Sequence, residues 1–306
     1  MEKPLVSIVV ISYNSAKTIV ETLNSIREQT YSPLELIVSD DASADETVAI
    51  ARAWLNENRS RFVRTNLVVA EKNGGISANL NRGIAETQGE FLKTIAADDI
   101  LLPSCVECNV RFMRENPNAQ IVFSKVREFS IVATGEKKLA AQSAPVCPPP
   151  FFEMSAEEQH DILLAGCADV CAPSSFARRK LFTRHPYTPY YTAMEDWPKW
   201  LELTAAGIKL FFMDEETVLY RIGGNSVSST AEKTFYSPRF MDSRKLFYLM
   251  ELRRELVERN MKKLRARYDR EFLRYDLTMT LLGNRKTALN SFLRHITSRF
   301  LKIFVR

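Results

Sequence analysis

Among the neighbouring carboxylates of this 306-residue chain are Asp40-Asp41 in LELIVSDDASADET, Asp98-Asp99 in FLKTIAADDILLP and Glu195-Asp196 in TAMEDWPKWLELTAAG. Adjacent like charges repel, so such a pair at the end of an apolar run calls for a cation or hydrogen-bond donors facing it. Oxygen ligands suit hard cations such as Mg²⁺ or Mn²⁺, which typically bind through one or two carboxylates plus the phosphates of a substrate. Asp98 and Asp99 are candidate metal ligands on this reasoning; the plain alternative is that they cap the segment entering ILLPSCVE. Asp196, at the start of a helical pattern with Trp197, Trp200, Leu201 and Leu203 on its apolar face, is a candidate general base or simply a helix cap.

Other chemistries lack their residues. No GxxxxGK[ST] loop is present and no GxGxxG follows the first apolar run, which excludes P-loop and dinucleotide-dehydrogenase readings. No GxSxG elbow occurs, Ser174-Ser175 have no plausible histidine partner, and His160, His185 and His295 are scattered. The five cysteines include the close pairs Cys105/Cys108 and Cys167/Cys171, but neither has His or further Cys at zinc-ligand spacing, so reduced structural thiols are expected. No apolar stretch approaches the ~20 residues of a transmembrane helix, and the N-terminus carries no small-residue cleavage site; a cytoplasmic protein is expected.

The first hundred residues must position these groups. VSIVVIS, LELIVSD, RTNLVVAE and EFLKTIAA alternate with the helical patterns SAKTIVETLNSIREQ, ADETVAIARAWLNE and ISANLNRGIAET. That β-α-β-α-β-α-β order, with continuously apolar β-branched strands, predicts a parallel sheet covered by helices, whose ligands bind beyond the carboxyl ends of the strands. Polar clusters stand there: Ser12, Tyr13 and Asn14, then Asp40 and Asp41, then Asn73, Gly74 and Gly75, then Asp98 and Asp99. Each has a local reading, with Ser15 and Ser43 as N-caps and Asn73-Gly74-Gly75 as a turn. Together they offer acceptors, an aromatic face and helix N-termini to a nucleotide, and a metal would supply the missing positive charge.

In these motifs the sequence resembles the inverting family 2 glycosyltransferases of GT-A fold over roughly residues 4–230: VSIVVISYN, DDASADET, NGGISANLNRG, AADDILLP and EDW. The resemblance implies a GT-A-type nucleotide-binding sheet, mostly parallel and flanked by helices. It implies that Ile11, Tyr13, Asp40, Asn79 and Asp98 hold the nucleotide, that Asp98 and Asp99 bind Mn²⁺ or Mg²⁺, and that Asp196 is the catalytic base. The activity implied is inverting transfer of a sugar, from a UDP-sugar by expectation, to a hydroxyl of a glycan or lipid-linked saccharide, as in surface polysaccharide synthesis. A nucleotidyltransferase and a catalytically inactive nucleotide-sugar-binding protein are the alternatives. Departures are Ala96 where the family often has aspartate, Leu80 where many relatives have arginine, and Gly223 where many have histidine, leaving Arg221 among the basic residues to compensate.

Composition divides the chain. Residues 244–306 hold 17 Lys+Arg against 6 Asp+Glu, lack proline and contain Gly283 alone among glycines. We expect a GT-A domain over 1–235, with a nucleotide-sugar half (1–103) and an acceptor half (104–235), then a basic α-helical region over 236–306. Between them Phe151, Phe152, Tyr187, Tyr190 and Tyr191 are available to stack on sugars or to fill the core. In NSFLRHITSRFLKIFVR (290–306), Phe292, Leu293, Ile296, Phe300 and Ile303 at helical spacing among basic residues suit either peripheral contact with an anionic membrane or packing on the body. Nucleic acid is not expected as a partner, because no recognition motif accompanies the charge.

Overall fold

The computed structural model describes residues 2–132, 135–144, 150–166, 170–223 and 234–295. The apolar runs form β1 (Val6–Ser12), β2 (Leu34–Asp40), β3 (Arg64–Val69) and β4 (Phe91–Ala96), separated by α1 (Ile19–Arg27), α2 (Thr47–Glu57) and α3 (Ile76–Ala85). They pair in the order β3-β2-β1-β4, all parallel. Side chains alternate along a strand, so Val6, Ile8 and Val10 of β1 join Leu34, Leu36 and Val38 of β2 in one core with Ile19, Leu23, Ile26 and Trp54 from α1 and α2. The opposite face carries α3 at close range: a Cβ on Gly83 would stand 2.5 Å from Cγ1 of Val9, so only glycine allows this approach.

Beyond β4 the chain forms β5 (Ile100–Leu101), α4 (Cys105–Glu115), β6 (Ile121–Ile131), β7 (Lys137–Leu139), α5 (Pro150–Glu153) and α6 (Ala156–Leu164). β8 (Phe176–Arg178), α7 (Arg179–Arg184), α8 (Asp196–Ala205) and β9 (Phe211–Arg221) follow. The sheet is parallel through its first four strands and mixed after them. β8 runs antiparallel to β4 and β6, whereas β9 pairs parallel to β6 and antiparallel to β5. Pairing with β5 carries the end of β9 to the residues immediately after the Asp98-Asp99 pair.

By contact the chain divides into two compact units, residues 1–189 with 195–222, and residues 190–194 with 223–306. The second contains α9 (Pro238–Phe247), a π-helical turn at Tyr248–Leu252, α10 (Arg253–Glu258) and α11 (Lys262–Leu282), which ends at Gly283 with φ of 54°. Its core stacks Tyr248 against Tyr268 and Phe272 at 5.3 and 5.2 Å between ring centroids. The segment 190–194 belongs here through Tyr191, whose hydroxyl donates to Glu251 at 2.5 Å and whose ring meets Phe247 edge-on. Residues 288–295 are helical; the remainder of the expected amphipathic tail, 296–306, lies outside the described residues, as do Cys147 and Cys167. Cys105, Cys108 and Cys171 are free thiols.

Candidate active site

The ends of β1 and β2 are knitted together by their own polar groups. Asp40 is fully buried; its carboxylate accepts from Ser12 Oγ at 2.7 Å, Ser43 N–H at 2.8 Å and Ser43 Oγ at 2.6 Å. Ser43 Oγ in turn accepts from the Asn14 N–H at 2.8 Å, so this hydroxyl ties two loops together and caps no helix. The Ser15 hydroxyl likewise donates to the Tyr13 carbonyl. Asp41 accepts from the N–H groups of Gly74 and Gly75, at 3.0 and 2.8 Å, and from Arg82 at 3.1 Å. Gly75, with φ of 86°, supplies the left-handed turn this requires.

Asn79 is also buried, donating to the Ser12 carbonyl at 3.2 Å and accepting from Ser39 at 2.6 Å and Arg82 at 2.9 Å. Asp40 and Asn79 thus hold the shape of the strand ends with hydrogen bonds inside the chain. Tyr13 differs: it is 47% exposed, which leaves its ring available for stacking. Ile11 is half-buried, one residue before the end of β1.

The Asp98-Asp99 pair follows β4. Asp98 is half-buried, and burial raises its pKa, with Arg221 acting in the opposite direction. Asp99 is 2% exposed; burial first and the neighbouring Asp98 charge second push its carboxyl up to about 8. Its Oδ1 accepts from the Arg221 N–H at 2.9 Å, and its carbonyl accepts from Thr22 at 2.7 Å. The Arg221 guanidinium donates to the Asp98 carbonyl at 2.9 Å, pairs with Glu21 and lies 4.5 Å from the Phe129 ring centroid. Glu21 thus serves both Arg221 and Lys137, and each hydrogen bond between Arg221 and the pair uses one main-chain group.

Glu195 and Asp196 open α8, which Trp197 and the fully buried Trp200 anchor; the Trp197 indole donates to the Leu163 carbonyl at 2.8 Å. Oδ1 of Asp196 accepts from the Trp197 N–H at 2.7 Å. Burial raises both carboxyls above the ordinary range, and the Asp196 charge raises Glu195 further. A cavity of about 60 Å³ brings this pair together with Ile11 at the end of β1, Ala96 at the end of β4, Ala172 and Tyr187. A larger open groove of about 670 Å³, lined by Glu2, Pro4, Leu5 and Pro33 among others, lies at the opposite ends of the strands, away from these carboxylates.

The Glycosyl transferase family 2 profile matches residues 7–185, more than half of the chain. The chain belongs to glycosyl transferase family 2. This glycosyltransferase is 26% identical over 238 residues to the putative teichuronic acid biosynthesis glycosyltransferase TuaG of Bacillus subtilis, covering 76% of this chain and 87% of TuaG. It is 29% identical to an uncharacterized glycosyltransferase of Haemophilus influenzae, covering 74% of this chain and 68% of the relative. The fold matches residues 1–349 of TarS from S. aureus, solved with UDP-GlcNAc, at a TM-score of 0.62 and 19% identity, over 96% of this chain and 79% of that one. The family 2 transferase spans 44% of the longer TarS chain.

Two features of this transferase's site were missed at the sequence level. Arg82 neutralises Asp41 from within α3, and Lys93 of β4 is fully buried with its ammonium donating to the carbonyls of Pro173 and Ser175. A signal existed for the second: Lys93 interrupts an otherwise apolar buried strand. That lysine bolts the turn at Ala172–Ser174, part of the cavity wall, to the strand leading into Asp98-Asp99.

Proposed function

We propose that this glycosyltransferase transfers a sugar, with inversion, from a UDP-sugar to a saccharide hydroxyl, with Asp196 as the base. The observation that carries the reading is the cavity in which Glu195 and Asp196 meet the ends of β1 and β4, the strand ends that lead to Tyr13 and to Asp98. An acceptor hydroxyl losing its proton to Asp196 attacks the anomeric carbon from the face opposite the nucleoside diphosphate, and one base suffices for this displacement. Tyr13 offers its exposed ring to the base, while Asp40, Asp41 and Asn79 keep the loops around it in place. TuaG, a putative teichuronic acid biosynthesis glycosyltransferase, and TarS, solved with UDP-GlcNAc, support a polysaccharide context and a UDP-sugar donor.

Among the described residues no third His, Cys, Asp or Glu joins Asp98 and Asp99. Two adjacent carboxylates, both disfavoured as anions by burial, still fit Mn²⁺ or Mg²⁺ when substrate phosphates complete the shell. When bound, such an ion neutralises charge developing on the departing diphosphate. Asp98, the more accessible of the two, is the residue to hold it, with Asp99 behind. UDP release from UDP-sugars, measured with and without saccharide acceptors and with EDTA, tests the reading. Turnover that requires acceptor, vanishes in EDTA and is lost in Asp98→Asn is expected; full turnover in EDTA removes the metal, and UDP binding with no release under any acceptor leaves a binding protein.

Peripheral contact with anionic membrane is part of the proposal, supported by Leu289 and Phe292, which are 66% and 62% exposed on the helical stretch that leads into the basic tail. A lipid-linked acceptor would be met at such a surface. No helix among the described residues is long and apolar enough to cross a membrane.

A further inference from the structure

We propose that the cavity beside Asp196 is a subsite for the acetamido group of an acetamido-bearing sugar, either the one transferred or the one that accepts it. The inference rests on the reading of this site as that of a UDP-sugar transferase and names the substrate class within it. Size comes first. A water needs at least about 10–15 Å³ on this measure, so about 60 Å³ has room for roughly four water-sized groups. A single hydroxyl leaves most of that space empty, whereas a larger substituent of a sugar can enter it while the ring stays at the open mouth.

The lining decides the chemistry. Ile11, Leu80 and Pro173 give it apolar walls, suited to a methyl group. Thr94 and Tyr187 also line it, and neither side-chain hydroxyl has a hydrogen-bond partner among the described residues, so both are free to donate to an amide carbonyl. The Glu195 carboxyl stands ready to accept from the amide N–H, leaving Asp196 for the acceptor hydroxyl. A deoxy-sugar methyl would leave those hydroxyls unanswered, at a cost. A uronate carboxylate would be repelled by the Asp196 carboxylate that the transfer requires.

Tyr187 is held for this task before any sugar arrives. Its ring stacks on Phe182 at 5.3 Å with planes 9° apart, and the Lys199 ammonium lies 5.2 Å from its centroid. Its main-chain N–H and C=O are both bonded to the Asn81 side chain, at 2.8 and 2.7 Å. A hydroxyl on so fixed a ring discriminates better than one on a mobile side chain, because little freedom is lost on binding.

The full chain with Mn²⁺ is titrated calorimetrically with UDP, UDP-glucose and UDP-N-acetylglucosamine; in parallel, transfer to p-nitrophenyl glucoside is compared with transfer to its N-acetylglucosaminide. Ala172→Leu narrows the cavity and Tyr187→Phe removes one donor. The acetamido member is expected to be favoured about 10-fold or more in one of the two arms. Which arm responds tells donor from acceptor. Both variants are expected to remove most of that preference while UDP itself binds as before; should Ala172→Leu fail to fold, Tyr187→Phe decides. UDP binding without preference in either arm, or a preference untouched by Tyr187→Phe, overturns the subsite and leaves the transferase reading intact. Failure to bind UDP at all overturns both.

Discussion

The backbone N–H of Arg221, the last residue of β9, donates to Oδ1 of Asp99 at 2.9 Å. One well-placed donor does not offset the burial of two neighbouring carboxylates: Asp99 moves from an ordinary 3.8 to about 8, chiefly through burial and next through Asp98. The folded protein therefore holds this proton more tightly than the unfolded chain does. The stabilisation is complete below about pH 4 and is lost as pH rises towards about 8. In EDTA the thermal midpoint should fall across that window, and Asp99→Asn, neutral throughout, should flatten the fall. An identical slope in the variant would assign it to other groups.

Asp196→Asn should leave UDP-sugar affinity nearly unchanged and lower kcat by at least ~10²-fold, the lower end for loss of a general base. Because burial raises Asp196 and Glu195 alike, the acid limb of kcat/KM should sit above the ordinary carboxylate range and disappear in the variant. A variant that melts early and loses donor affinity would instead make Asp196 a structural residue at the start of α8.

Ala42 adopts φ of 62°, the left-handed region in which a Cβ costs roughly 1–2 kcal/mol. Glycine gives back part of that gain through the greater freedom of its unfolded chain. Ala42→Gly should therefore stabilise the protein by about 0.5–1 kcal/mol in urea unfolding. Destabilisation would mean that the alanine methyl makes contacts worth more than the strain.

The intact protein should sediment with anionic vesicles at low salt and be released at high salt, since each basic side chain near such a surface contributes about 1 kcal/mol and is screened. A chain ending at Asn284 should bind much less. Equal partitioning of the two lengths, or indifference to lipid charge, would remove the tail from any membrane role.

Strand and helix order up to β4 was legible because each element is short, local and apolar in its own period. The polar clusters at the strand ends were legible for the same reason. What those clusters do with their atoms was not. Asp40 reads as an open acceptor in sequence, yet its carboxylate already accepts three hydrogen bonds from Ser12 and Ser43. Arg221 reads as a free cation, yet Glu21, far away in sequence, pairs with it. The pairings of β6 with β8 and β9 are equally non-local, and β8 is too short to announce itself. The position of Glu195-Asp196 beside the ends of β1 and β4 depends on those same pairings.

The chain passes between its two compact units three times, after Pro189, after Met194 and after Ile222. The second unit is thus assembled from two pieces of sequence, and no single cut releases it whole. A polypeptide ending at Ile222 would carry Tyr191 without Glu251 and Phe247; one beginning at Gly223 would carry them without Tyr191. Because the ribosome makes the chain from its N-terminus, Glu251 emerges 60 residues after Tyr191. The stretch that leads directly into Glu195 and Asp196 gains its Tyr191 anchor only then, after β9 has been made.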